Sequence, residues 1–243
     1  MTIQIIPVRI DKEIEEGENI SDLILLKSEI KDGDILVVTQ KIISKQEGNI
    51  VNLSKIKPSL LATGIASAYG KDPRVVQLVL DQTKRIVRMN NGIIISETSH
   101  GLVCANAGVD ESNVKDGYVT LLPKNADESA SKLQQEILKK TGKNIPVIIS
   151  DTFGRPFREG QTNCAIGMSG IAAILDYVGT KDTFGKTLHV TALAIADEIC
   201  SATELVMAKS LQTPVAIVRN YKFKNSKGSV NDLIRKRSTD LFR

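Results

Sequence analysis

Residues 145–167 read IPVIISDTFGRPFREGQTNCAIG, an apolar run from Ile145 to Ser150 that passes directly into a polar segment from Asp151 to Thr162. An apolar run this short, bounded by turn formers, predicts a buried strand, and the Gly, Pro and Arg content after it predicts a loop. Upstream, Asp127 to Lys140 has the spacing of an amphipathic helix, stopped by Gly142. Downstream, small and apolar segments reach Asp176 and a glycine-containing turn region follows. A helix is then predicted from about Thr191 to Ser210, and a last strand over Val215 to Arg219.

Short elements continue toward the N-terminus. Arg85 to Val103 carries the β-rich runs IVRM, GIIIS and GLVCA, which predict a meander or hairpins. Asp72-Pro73 opens one helix, with Pro at the first helical position, and Lys57-Pro58-Ser59 opens another that Gly70 ends. Asp32, Gly33 and Asp34 make a turn before a buried strand, Ile35 to Val38. Thr2 to Val8 predicts a strand, Arg9 to Asn19 a polar connector, and Ser21 to Ile30 a helix capped by Asn19 or Ser21. Strands and helices alternate without a sustained βαβ rhythm, so the fold class is α+β and not a doubly wound sheet. With no repeat or linker, residues 1–243 are read as one unit.

Of the 243 residues, 42% are hydrophobic and 25% charged, which excludes a disordered or collagen-like chain. The net charge, 32 − 28 = +4, is concentrated in the last twenty-odd residues. Aromatics make up only 4% and Trp is absent, so the basic-and-aromatic stripe of a nucleic-acid binder is missing and no nucleic-acid partner is expected. Cys104, Cys164 and Cys200 form no C-x-x-C pair, which argues against a zinc or redox motif and for a reducing, cytoplasmic compartment. No apolar run approaches the roughly 18 residues that span a bilayer. The N-terminus lacks a secretory core, and no membrane partner is expected.

Two loops carry the chemistry. CANAGVDESN, residues 104–113, combines small residues, which let a backbone approach a ligand, with carboxylates and amides. Asp110 is its candidate metal ligand and Asn113 a polar contact; the ordinary alternative is a solvated Asp/Asn turn. In the second loop, Asp151 and Thr152 stand at the end of the apolar strand and offer hard oxygen donors suited to Mg²⁺ or Mn²⁺. Arg155 and Arg158 follow, two guanidiniums able to grip a phosphate or carboxylate; internal Asp–Arg pairing is the competing reading. Lys41 and Lys45, with Gln40 and Ser44, either face a triphosphate or begin a solvated helix.

Other motifs are weaker. GTKDTFGKT, residues 179–187, imitates a Walker A loop but puts five residues between its glycines where the motif has four, so it is read as a hairpin turn. His100 is read as structural, and His189 has no partner in the sequence. Hydrolase triads, zincins and dinucleotide-binding fingerprints are absent.

VTQKIISKQEG (38–48), KDPRVVQLVL (71–80), ETSHGLVCANAGVDESNV (97–114), SDTFGRPFREGQTNCAIG (150–167), ADEICSATELVMAK (196–209) and DLIRKRSTDLFR (232–243) together resemble the coenzyme F420-0:L-glutamate ligase family. The similarity runs from Ile6 to Arg243. It implies a GTP- and divalent-metal-dependent ligase that adds L-glutamate to the lactyl carboxylate of coenzyme F420-0. Further glutamates follow through γ-linkages, with release of GDP and phosphate. A carboxylate is a poor acyl donor, so phosphorylation to an acyl phosphate ahead of amine attack fits this chemistry. The resemblance also implies an intertwined homodimer whose protomer has two α+β lobes with mixed and antiparallel sheets.

On this chain the resemblance places the Mg²⁺ or Mn²⁺ ligands at Asp110, Asp151 and Thr152, with K⁺ as a further candidate ion. Nucleotide contacts fall on Gln40, Lys41, Lys45, Asn113, Met207, Ala208 and Lys209, and Arg155 and Arg158 take the catalytic role of steadying transferring oxygens. Two departures stand out. Ile10-Asp11-Lys12 occupies a stretch where relatives often carry a Gly-hydrophobic-Pro step, and Ala208 stands where the family's usual residue is glycine. A nitroreductase-like extension is absent, as in a stand-alone ligase. The alternatives are a ligase of the same fold glutamylating another carboxylate, a phosphohydrolase, and a nucleotide-binding module without catalysis.

Overall fold

The computed structural model describes residues 2–241. Its main sheet contains β1 (Gln4–Val8), β2 (Ile35–Thr39), β8 (Val147–Arg155), β9 (Arg158–Ser169) and β12 (Val215–Arg219), in the order β1-β12-β2-β8-β9. Only β2 and β8 run parallel; every other neighbouring pair is antiparallel. β2 is an unbroken apolar run because it is covered on both faces. Leu36 and Val38 join one core with Val147, Ile149, Leu133 and Ile137, while Ile35 and Val37 join another with Ile148, Ala196, Ile199 and Cys200.

The first face is covered by α1 (Ile20–Lys27), α2 (Gln40–Gln46) and α5 (Ala126–Thr141), the second by α6 (Ile195–Met207). Asn19 caps α1 as expected, accepting from the Asp22 amide, and Gly142 ends α5 in the left-handed conformation that glycine adopts without strain. Gly167 on β9 lets α5 approach: a Cβ there would sit 2.3 Å from the Ala126 carbonyl carbon. Gly167→Ala is therefore expected to cost about 3 kcal/mol or more. A melting temperature within 2 °C of wild type would contradict this close packing.

A second set of elements lies between residues 50 and 122. The helices α3 (Leu60–Tyr69) and α4 (Pro73–Gln82) pack on the meander β4 (Thr83–Asn90), β5 (Ile93–Thr98) and β6 (Val103–Ala105). Ser59 and Asp72 cap the two helices, and Gly70 ends the first. β3 (Ile50–Asn52) pairs with β7 (Tyr118–Thr120). Finally β10 (Leu175–Asp176) pairs with β11 (Ala192–Leu193), and the 179–187 segment between them folds back through the Lys181–Thr187 bridge as a hairpin turn. The α+β class, with mixed and antiparallel sheets, is thus observed.

Three expectations need correction. The polar segment 151–162 is not a loop: β8 continues through it to Arg155, turns at Pro156-Phe157 and returns as β9. Past the sheet's core both faces of this hairpin meet solvent, so neither alternation nor an apolar run marks it in the sequence. The helix expected over 191–210 is confined to Ile195–Met207, because Ala192 and Leu193 take strand partners and Ala208 leaves helical geometry. The helix expected over 21–30 ends at Lys27, where Ser28 turns extended. No helix among the described residues is long and apolar enough to cross a membrane.

Candidate active site at the carboxyl ends of two parallel strands

Thr39 and Ser150 are the last register partners of β2 and β8, so the residues that follow, Gln40-Lys41 and Asp151-Thr152, emerge side by side. Carboxyl ends of parallel strands are where open α/β sheets commonly bind ligands. The 104–113 loop joins them because β6 pairs with β5 and Asp110 forms an antiparallel bridge with Thr120. Between these ties the chain makes a tight left-handed turn, with Asn106, Ala107 and Gly108 all at positive φ.

Two carboxylates meet here. Asp110 accepts from the Ser112 amide at 2.7 Å and the Ser112 hydroxyl at 3.0 Å, and pairs with Lys41 Nζ at 2.7 Å. Burial works to raise its pKa, but the Lys41 ammonium and the Ser112 donors outweigh burial and hold it below the usual carboxylate range. Asp151 behaves oppositely: burial pushes its carboxyl up to about 6, and the negative charge of Asp110 adds to the rise. The Thr152 amide, Lys209 and Lys41 offset this only in part. A carboxylate raised by burial and a like-charged neighbour marks a candidate functional position, since a cation bound there would favour its ionised form.

Thr152 donates to Asn163 Oδ1 at 2.8 Å and accepts from Lys209 Nζ, while Lys209 lies 3.8 Å from Glu204. Lys45, almost fully buried, pairs with Glu13 and donates to the Asn113 carbonyl at 2.7 Å. Asn113 adopts φ +54° at that point. Gln40 is buried with its amide turned inward to Ser44 and the Leu121 carbonyl, leaving only its backbone near the cleft. Met207 is likewise a core side chain.

The segment after α6 closes on the N-terminal connector. Ile10 N donates to the Gln212 carbonyl at 2.9 Å, and Arg9 reaches the Gln212 side chain at 3.1 Å. The unusual Ile10-Asp11-Lys12 stretch, Lys45, Asn113 and residues 208–212 therefore border one another. Ala208 itself has φ +40° and ψ 161°, backbone space that is essentially glycine's. Ala208→Gly is expected to stabilise the protein by about 1 kcal/mol or more. An unchanged or lowered denaturation midpoint would contradict strain there.

Arg155 and Arg158 are not gathered with the aspartates. Both are exposed at the hairpin tip, where Arg155 lies four residues along β8 from Asp151, or about 13 Å at strand spacing, and Arg158 is its register partner on β9. Arg155 is occupied with the Glu159 carbonyl at 2.6 Å and the Gly160 carbonyl at 3.3 Å. Among the described residues the internal pairing of Asp151 with these arginines, weighed from the sequence, does not form; the charges acting on Asp151 are those of Asp110, Lys209 and Lys41. Burial pushes the Cys104 and Cys164 thiols up to about 12, so neither offers a thiolate at neutral pH. His100 faces the Lys124 carbonyl at 2.6 Å in a structural role.

Sequence reasoning missed Asn163, Glu204, Glu13 and Ser112. Ser112 follows Asp110 at the spacing of an Asx turn, a signal that was available. Asn163 becomes visible only once β9 is known to pair with β8, since it stands directly across from Thr152.

Hard divalent ions fit this donor set. Among the described residues no group of three or more His, Cys, Asp and Glu side chains could hold a metal. The protein would thus supply two carboxylates and a hydroxyl, leaving other positions to phosphate and water, the habit of Mg²⁺.

Comparison with known proteins identifies the family. The profile of the F420-0:Gamma-glutamyl ligase family matches residues 8–220. A coenzyme F420:L-glutamate ligase of Methanocaldococcus jannaschii is 50% identical over 94% of this chain and 91% of its own length. Those of Methanothermobacter thermautotrophicus and Methanopyrus kandleri are 43% and 40% identical, each over 100% of this chain and over 100% and 98% of their own lengths. With the family profile matching residues 8–220 and these relatives covering 94% or more of its length, the chain belongs to the F420-0:γ-glutamyl ligase family.

Proposed function

We propose that this protein uses GTP and divalent metal ions, Mg²⁺ or Mn²⁺, to join L-glutamate to the lactyl carboxylate of coenzyme F420-0, and then adds γ-linked glutamates. The observation that carries this reading is the meeting of Asp110, on the 104–113 loop, and Asp151, on β8 just past its pairing with β2, with the ammonium groups of Lys41 and Lys209 beside them. Such a group of oxygens and cations suits a polyphosphate and its metals. Lys45 and Asn113, with the 208–212 backbone, are read as the nucleotide border. When bound, the metal ions offset phosphate charge and polarise the transferring phosphoryl group.

The chain's own residues set the geometry. Lys41 and Lys209 orient the γ-phosphate, so that a carboxylate oxygen of the acceptor attacks phosphorus as the bond to GDP breaks. The acyl phosphate formed is attacked by the glutamate amine, which loses its proton as phosphate departs. Holding these groups in line at a strand end is worth more than any single contact.

Arg155 and Arg158 enter this reading through a second copy of the chain. The β8–β9 hairpin projects with Phe157 87% exposed at its tip, and the 174–193 arm exposes Ile174, Val178, Phe184, Val190 and Leu193. So much apolar surface on these two projections fits an intertwined homodimer. The separate core built by residues 62–107 is read as the second lobe. K⁺ is retained as a further ion to be tested in the assay.

Mass spectrometry of coenzyme F420-0 incubated with protein, GTP, Mn²⁺ and glutamate tests the reaction. The expected products gain one or more glutamyl residues, with one GDP formed per bond. Nucleotide hydrolysis without any glutamylated product would sink this reading in favour of a phosphohydrolase.

A further inference from the structure

The outer edge of β9 has no strand partner, and α6 covers it with a row of polar side chains at helical spacing. Asp197, Ser201 and Glu204 stand at i, i+4 and i+7 and so share one helix face. Each satisfies a group on β9. Asp197 accepts from the Ala165 amide at 2.8 Å, Ser201 donates to the Asn163 carbonyl at 2.9 Å, and Glu204 accepts from Asn163 Nδ2 at 2.8 Å.

The last of these bonds has chemical polarity. An ionised carboxylate only accepts, so Glu204 obliges the Asn163 amide to turn its NH₂ outward to α6 and its oxygen inward to β8. The oxygen also only accepts, so the Thr152 hydroxyl must donate to it across the 2.8 Å that separates them. The Thr152 proton is thereby spent on Asn163 and the oxygen's lone pairs face away from it. In the structure those lone pairs meet a cation, the Lys209 ammonium. Asn163 itself is 2% exposed, which fixes its side chain in place.

We propose that Asn163, locked by Glu204, is a positioning residue that sets the polarity of the Thr152 hydroxyl, so that Thr152 presents lone pairs to a divalent cation. This rests on the proposed function and on the Thr152 hydroxyl serving its divalent ions as a donor beside the two carboxylates, and adds residues that hold the hydroxyl proton out of the way. A hydroxyl free to rotate would present a proton to the cation part of the time. Partners of this kind, one bond removed from the metal, commonly change metal affinity or activity by about 10- to 100-fold.

Asn163→Ala empties a buried polar position and is prone to misfold, so Glu204, on the helix surface, is the better handle. Glu204→Gln keeps shape but offers an amide that can pair with either orientation of Asn163. Mn²⁺ alone is titrated into the full-length protein while the electron paramagnetic resonance signal of free Mn²⁺ is followed. Four proteins of confirmed native melting are compared: wild type, Glu204→Gln, Thr152→Val and the double variant.

The expected result is a Kd weakened about tenfold by Glu204→Gln in the wild-type background and less than about twofold in the Thr152→Val background. Loss of a nearby negative charge acting through space would weaken both backgrounds equally, and that outcome overturns the proposal. So does unchanged Mn²⁺ binding in Glu204→Gln. A wild-type protein that takes up no Mn²⁺ would instead refute the metal site itself, and this inference with it, so the two failures are told apart.

Discussion

Asp151→Asn is expected to melt at a higher temperature than wild type in metal-free buffer at pH 7.5, while losing turnover by a factor on the order of 10² or more. Burial and the Asp110 charge raise the Asp151 carboxyl to about 6 from an ordinary 3.8. A group whose pKa is raised on folding binds its proton more tightly in the folded state. Its stabilising contribution is fully present below about 3.8 and is lost as pH rises through about 6. At pH 7.5 the ionised side chain therefore strains the fold, and the neutral amide relieves it by about 1 to 3 kcal/mol.

Saturating Mn²⁺ should reverse the order, since the ion stabilises only a protein that can bind it. The same titration predicts that kcat/KM falls as pH drops below about 6 at low metal. Added metal should push that limb to lower pH, because cation and proton compete for the carboxylate. A less stable Asp151→Asn protein with wild-type turnover would show that Asp151 is a structural acid.

Lys45→Met is expected to raise the KM for GTP at least about tenfold with little change in kcat. The Lys45 side chain is 6% exposed, and its ammonium joins three parts of the cleft border: α2, Glu13 of the connector and the Asn113 carbonyl. Met preserves the buried stem while removing the charge. A charge-assisted hydrogen bond contributes about 1.5 to 3 kcal/mol, or about 10- to 100-fold in binding. Glu13, largely exposed, returns to water in the variant, so folding should survive. Unchanged KM in a variant that melts early would make Lys45 a tether of the connector and remove it from the nucleotide border.

The sequence was most legible where local chemistry decides structure. Asn19, Ser59 and Asp72 cap their helices because short polar side chains reach the free amides there. Ile35 to Val38 announced a strand buried on both faces. Asp110 and Asp151 could be singled out as oxygen donors following strands, and the fold does bring them together. What stayed hidden depends on pairing at long range. β3 and β7 meet across the whole 53–117 segment and carry no local mark. Thr152's partner has no local mark, because a 151–162 loop gives no strand pairing that would set Asn163 across from it. Arg155 and Arg158 looked adjacent to Asp151 because a loop would have curled back, whereas an extended hairpin carries them away.

Co-crystals with GDP and Mn²⁺, examined by anomalous scattering at the manganese edge, test the central claim most directly. The account predicts manganese within coordination distance of both the Asp110 and Asp151 carboxylates, with Lys41 displaced from Asp110 and the diphosphate bordered by Lys45 and residues 208–212. Manganese and nucleotide bound elsewhere, with the Lys41–Asp110 pair intact, would contradict it.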